Sequence, residues 1–159
     1  LMALSNKFGY VLLNTSNKSE VAVGYGTLYG DMCGGISVIG DVYKTDVVGL
    51  ARYINRHAEI IPENTITKPP SAELKPNQKD SDSLPEYVVL DKILFQYIEN
   101  RKGKDELIHD GFDKALIRQV LNLVNKSEYK RHQTPPILRV SSKAFGKGRR
   151  MPIVAIYQE

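Results

Sequence analysis

GYVLLNTSNKSE, residues 9–20, is the stretch whose reading decides the fold. Residues 9–13 form a nearly unbroken apolar run bounded by Gly9 and Asn14. Such a run suits a strand buried on both faces, as in a parallel sheet. A short polar turn follows, and Asn17 is placed to cap a helix with Glu20, three residues on, as its capping-box partner. In open α/β sheets the step from strand end to helix start lies at the ligand edge, so Thr15 and Glu20 are expected to face a crevice. A threonine hydroxyl beside a helix N-terminus can bond a nucleotide's base, sugar or phosphate. A glutamate there can hold Mg²⁺ together with phosphate oxygens. The plainer alternative is that Asn17 and Glu20 only satisfy the first helical N–H groups.

Upstream, Met2-Ala3-Leu4 running into Ser5, Asn6 and Gly9 reads as the last turn of a helix and its C-cap, which suggests a chain cut from something longer. Downstream, residues 24–35 hold five glycines in twelve positions, too many for a helix interior. They read as a helix fraying into a loop where backbone approaches something closely. Residues 38–40 suggest a short strand. Thr45 reads as the cap of a helix through about Asn55, with Val47, Val48, Ala51 and Ile54 on one side. Residues 60–83 look like a long irregular segment, the kind that serves as a lid or linker. Ser83 and Glu86 form a capping-box pattern before Tyr87, Leu90, Leu94, Tyr97 and Ile98 at helical spacing, with Gly103 beyond the end. A last helix starts near Asp113, striped by Leu116, Ile117, Val120, Leu121 and Val124, and stops by Pro135-Pro136. Residues 141–152 are polar and basic, a loop.

The chain has 159 residues, 42% of them hydrophobic, which fits one globular domain. Its net charge of +4 leans on Lys130, Arg131, Lys143, Lys147, Arg149 and Arg150, a distribution that favours anionic partners or simply a solvated surface. Only Phe145 and Tyr157 interleave with these cations, which argues against nucleic acid. Cys33 is the single cysteine, so no internal disulfide can form and a reducing, cytoplasmic setting is expected, with Cys33 a small buried apolar residue. No apolar run is long enough to span a membrane. His57, His109 and His132 show no metal-ligand spacing, and neither a GxSxG nor a Walker A string occurs. Lys68, before Pro69-Pro70, could neutralise phosphate or be merely solvated. From the residues alone the reading stops at an α/β domain that binds an anionic small ligand.

Four strings together are more specific. Residues 1–35, ITKPPSAELKPNQKDSDSLPEYVVLD (66–91) and EYKRHQTPP (128–136) each resemble NAD synthetases, in that family's order, and SSKAFGKGRRMPI (141–153) resembles the tail of the glutamine-dependent class. The resemblance implies a parallel α/β sheet of the adenine-nucleotide alpha-hydrolase-like, Rossmann-like type, here incomplete and helix-rich, with residues 1–159 forming the C-terminal portion of the synthetase domain. It implies an ATP-dependent ligase of NAD biosynthesis: ATP adenylates the nicotinate carboxylate of deamido-NAD, and ammonia, supplied from glutamine by an upstream glutaminase domain, displaces AMP. On the same basis Thr15 and Lys68 are expected at ATP. Glu20 is expected at Mg²⁺ and deamido-NAD, and Tyr25, Gly26, Thr27, Leu28, Asp31 and Lys130 at deamido-NAD. No residue is assigned a catalytic role.

One departure stands out. The family's SGGxDS phosphate loop is not among these 159 residues and is expected upstream of Leu1, so the chain alone is expected to be inactive. A homo-oligomer, dimer or larger, is expected. So is self-association through exposed sheet edges if the piece stands alone. The alternatives are a non-catalytic nucleotide- or nucleic-acid-binding module and an interaction fragment that presents residues 84–100 and 113–132 as a subunit interface.

Overall fold

Asn14 and Ser37 lie side by side in a two-stranded parallel sheet, β1 (Leu13–Asn14) against β2 (Ile36–Ser37), and Ile137 adds a parallel bridge to Ser37. The computed structural model describes residues 1–72 and 74–154; Glu73 and residues 155–159, Tyr157 among them, lie outside the described residues. The parallel pairing agrees with the sequence reading, but the extent and burial of the strand do not. Tyr10, Val11 and Leu13 are 69%, 68% and 54% exposed, so residues 9–13 are not covered on both faces. A strand of this kind needs a neighbour on each side, and among the described residues β1 pairs only with β2. The second strand falls at Ile36–Ser37, two residues before the expected 38–40.

Helix α1 (Met2–Phe8) stops at Gly9, whose left-handed backbone (φ 69°) returns its amide to the Ser5 carbonyl. Helix α2 (Lys18–Val23) opens on the expected capping box: the Asn17 side chain accepts from the Glu20 amide at 3.0 Å, and the Glu20 carboxylate accepts from the Asn17 amide at 3.2 Å. The core forms where α2 meets α5 (Tyr87–Ile98) and α7 (Lys114–Lys126). Leu90, Ile93 and Leu94 interlock there with Ile117, Val120, Leu121 and Val124, and none has solvent exposure. Each such side chain contributes about 1.5–3 kcal/mol of burial. The apolar stripe read for α7 is therefore the core face, and Asp113 caps the helix by accepting from the Leu116 amide at 2.8 Å. The two helices offered as an outward interface spend their apolar faces on each other.

Other boundaries moved. Helix α3 (Lys44–Ile54) starts two residues early, with Tyr43 at its N-cap, and Thr45 does not cap it: its hydroxyl and amide both donate to Asp91 instead, at 2.8 and 3.0 Å. Along α3, Val47, Val48 and Ala51 are half-buried and Ile54 is exposed. The irregular 60–83 segment contains α4 (Glu63–Thr67) and a 3-10 turn (Asp80–Asp82). Ser83 ends that turn rather than opening the next helix, and α5 starts at Tyr87 without a side-chain cap. Gly103 is the N-cap of an unexpected helix, α6 (Lys104–His109), whose Leu107 completes the core. Helix α8 (Glu128–Arg131) follows α7, and residues 141–152 are loop, as expected. Cys33 is half-buried rather than buried. No helix among the described residues is long and apolar enough to cross a membrane.

Candidate functional site

The turn between β1 and α2 is held from both sides by its own polar residues. The Asn14 amide nitrogen donates to the carbonyls of Asp31 (2.7 Å) and Cys33 (3.2 Å), and the Ser16 hydroxyl donates to the Asp31 carbonyl at 3.3 Å. Thr15, between these two, is exposed. The Asp31 carboxylate in turn accepts from the Thr27 amide at 2.7 Å, which folds residues 27–31 into a tight loop. Sequence reading could not find this grip, because Asn14 and Asp31 are 17 positions apart.

At the other end of α2, the carbonyls that a helix C-terminus leaves unpaired are taken up by residues from α7 and α8. Arg131 donates to Ala22 (2.6 Å) and Val21 (3.4 Å), Ser127 to Val23 (3.0 Å), and Lys130 to Gly24 (2.7 Å) and Gly26 (2.8 Å). Gly24 is required here on two counts: its φ is +68°, and a Cβ would lie 2.3 Å from the Ser127 hydroxyl. Tyr25 and Leu28 are half-buried, and the Tyr25 hydroxyl is buried with no hydrogen-bond partner among the described residues.

Glu20 points to a residue that the sequence reading missed. Its carboxylate pairs with Lys44 at 3.3 Å, and the Lys44 ammonium lies 5.6 Å from the centroid of the Tyr87 ring. The Tyr87 hydroxyl donates to Asp80 at 2.8 Å, and the Asp80 amide donates to the Pro70 carbonyl at 2.9 Å. Burial, with Asp80 and the nearby Glu20 adding to it, pushes the Tyr87 phenol far up, so it stays a donor. A relay thus runs Glu20–Lys44–Tyr87–Asp80 to the base of the loop that bears Lys68. Lys68 itself lines a cleft of about 560 Å³ with Pro69, Ser71, Lys75 and Lys79, and the described lining does not include Thr15, Glu20 or Lys130. The structure therefore gathers Thr15, Glu20, Thr27 and Asp31 around the start of α2, sets Tyr25, Gly26 and Lys130 at its end, and keeps Lys68 on a moored but separate loop.

A family model described as NAD synthase matches residues 1–134. The chain belongs to the NAD synthase family. It is 54% identical over 157 residues to a glutamine-dependent NAD(+) synthetase of Synechocystis sp., covering 99% of this chain and 28% of that protein. It is 56% identical over 156 residues to the Acinetobacter baylyi protein of the same description, covering 97% and 29%. The chain thus spans under a third of the length of these curated relatives. Among solved structures it superposes on a glutamine-dependent NAD(+) synthetase from Cytophaga hutchinsonii with a TM-score of 0.73 at 25% identity, covering 97% of this chain and 26% of that one. An NH3-dependent NAD synthetase from Campylobacter jejuni gives a TM-score of 0.61 at 30% identity, covering 87% and 49%. The helix-rich chain with its short parallel sheet thereby has the adenine-nucleotide alpha-hydrolase-like fold of NAD synthetases.

Within this NAD synthase framework a second polar cluster, also unforeseen, holds the start of α2. Lys18, fully buried, pairs with Asp41 and Glu99 and donates to the Ser141 hydroxyl and the Lys143 carbonyl, each at 2.8 Å. Its four partners come from positions 23 to 125 residues away. No local pattern announces such a cluster.

Proposed function

We propose that the protein to which these residues belong amidates deamido-NAD to NAD at the expense of ATP, with residues 1–159 forming the C-terminal portion of its synthetase domain. The observation that carries the reading is the Glu20–Lys44–Tyr87–Asp80 relay, which ties the β1–α2 turn to the loop bearing Lys68. Thr15 contacts ATP from the turn, and Lys68 offsets phosphate charge. Tyr25, Gly26, Thr27, Leu28, Asp31 and Lys130 line the deamido-NAD side. Two of the three donors of the Lys130 ammonium are engaged by backbone carbonyls, which fixes the side chain and leaves one for a ligand. The unpartnered Tyr25 hydroxyl offers a second polar contact.

Among the described residues no group of three or more His, Cys, Asp or Glu is placed to hold a metal. Magnesium at a nucleotide needs only one or two protein carboxylates. Glu20 fits that demand: its oxygens accept from the Asn17 amide and Lys44, and a carboxylate has about four acceptor positions. Mg²⁺ held there would neutralise phosphate charge. Ammonia comes from glutamine through a glutaminase domain, and the enzyme works in the cytoplasm as a homo-oligomer.

The test is ATP- and ammonia-dependent synthesis of NAD from deamido-NAD by the full-length protein. Glu20→Gln and Lys68→Ala should each lower kcat/KM by at least about tenfold, the loss of one charge-assisted contact. Unchanged kinetics in both variants would sink the site assignment, and no synthesis by the wild type would sink the reaction.

A further inference from the structure

The basic tail singled out by sequence sets Ala144 and Phe145 in the interior and Ser141 and Lys143 on Lys18, but it leaves Arg139, Lys147 and Arg150 exposed. It wraps into a cleft of about 650 Å³ between α8 and residues 139–150, a size suited to a small molecule. Pro135, Ile137, Ala144 and Phe145 floor the cleft, and Arg139, Lys147, Arg150 and His132 line its exposed wall. Glu128, the one acid in the described lining, is buried and bonded to Arg131 at 2.9 Å, with His132 4.0 Å away, and it is paired with none of Arg139, Lys147 and Arg150.

Two of these cations are held in place by their own loop. Arg139 donates from Nε to the Ser141 carbonyl (3.0 Å) and from Nη2 to the Ser142 carbonyl (2.6 Å), and Arg150 donates from Nε to the Gly146 carbonyl (3.0 Å). Each guanidinium has five N–H donors, so the wall keeps donors to offer. Lys147 has no partner among the described residues and stands in the turn Gly146-Lys147-Gly148, where Gly146 has a φ of +84°. The loop is also a built element. The buried Lys18–Asp41–Glu99 cluster fastens its start: Asp41 accepts from the Val140 and Ser141 amides at 2.8 and 2.7 Å, and Glu99 accepts from the Ser142 hydroxyl. Like charges that line one cleft repel unless an anion sits among them, and restrained guanidiniums lose little freedom on binding one.

We propose that this cleft is an anion-binding site for a phosphate-bearing ligand of up to nucleotide size, separate from the β1–α2 turn. Free phosphate and a nucleotide share the chemistry that the wall recognises. The apolar floor gives a nucleotide its extra purchase.

The experiment is hydrogen–deuterium exchange of the full-length protein with inorganic pyrophosphate, AMP, inorganic phosphate and adenosine as probes. Pyrophosphate should slow exchange across residues 143–150, with protection weakening as salt is raised. Half-maximal protection should require roughly tenfold more pyrophosphate in Lys147→Ala or Arg150→Ala, one charge-assisted contact each. Lys147→Glu should abolish it, and Lys68→Ala and Thr15→Val should leave it unchanged. Adenosine should give none. AMP acting below the concentration of inorganic phosphate assigns a nucleotide, and equal action assigns free phosphate. Both wall variants lie on an exposed loop, and their unchanged exchange in α5 and α7 would show an intact fold. Three results would overturn the proposal: no protection in the wild type, protection that survives Lys147→Glu, or protection by a polyglutamate peptide that pyrophosphate cannot displace.

Discussion

The Lys18 ammonium lies 2.8 Å from the Asp41 carboxylate, and neither side chain has any solvent exposure. With Glu99 as a second carboxylate and the Tyr43 ring 4.9 Å away, Lys18 joins the start of α2, the segment after β2, the end of α5 and the tail. A buried pair of this kind matters less for what it adds than for what its loss leaves behind.

Lys18→Met should therefore be severe. It would leave two carboxylates in the interior without their cation and take a donor from the Ser141 hydroxyl and the Lys143 carbonyl. The expected destabilisation is about 3–5 kcal/mol, read as a drop in the urea midpoint at unchanged slope. A loss below about 1 kcal/mol would contradict the structural role.

The same cluster sets an acid response. Burial alone would raise the Asp41 carboxyl, but the Lys18 hydrogen bond, with the Ser141 and Val140 amides, outweighs it and holds the group below its ordinary range. Glu99 is likewise raised by burial and lowered more by Lys18 and Ser142. Depressed folded values mean that this stability is fully present above the unfolded pKa values, about 3.9 and 4.3, and drains away as pH falls through the lower folded ones. Asp91 runs the other way. Burial raises it despite bonds from Ser19 and Thr45, so its contribution falls as pH climbs from the unfolded value through the folded one. Below that window only the depressed pair responds. Urea midpoints measured from pH 6 downward should fall steeply in the acid range for the wild type, and Asp41→Asn should flatten that slope.

Two glycines separate backbone strain from collision. Gly9 and Gly24 share nearly the same left-handed backbone, φ 69° and 68°. An added Cβ meets nothing within 4 Å at Gly9 but meets the Ser127 side chain at 2.3 Å at Gly24, and that hydroxyl is committed to the Val23 carbonyl. Gly9→Ala should cost about 1–2 kcal/mol of backbone strain, and Gly24→Ala clearly more. Equal thermal shifts in the two variants would show that the α2–α8 contact yields freely.

Leu1, Leu4, Phe8, Tyr10, Val11 and Leu13 leave a line of exposed apolar side chains along α1 and the approach to β1. The isolated 159-residue chain should self-associate through this face. Light scattering across a concentration series should show mass growth, reduced by Val11→Lys. A monomer at every concentration would remove the prediction.

Several features were legible in sequence because they are local. The Asn17–Glu20 capping box, the Gly9 cap, the α7 stripe and the helix start near Asp113 all depend on spacings of one to four residues, and each formed as read. Errors arose where distant atoms compete for the same group. Thr45 looked like a cap, but Asp91 on α5 takes its amide and hydroxyl. Ser83 looked like a cap as well, but there the competitor is local: its amide donates to the Asp80 carbonyl and closes the preceding 3-10 turn. Lys44 carried no signal at all, since its meaning comes from Glu20, 24 positions earlier.

By itself, then, the sequence determined the starts of α2 and α7, the parallel strand step and the membership in the NAD synthase family, because caps, periodicity and motif strings are written in neighbouring residues. Only the tertiary structure decided that Asn14 and Ser16 clasp Asp31, that Lys44 links Glu20 to the Lys68 loop, and that Lys18 fastens the basic tail. Those contacts close loops of 15 to 125 residues. A buried charge or a tethered turn finds its partner only after the core of α2, α5 and α7 has brought those segments together.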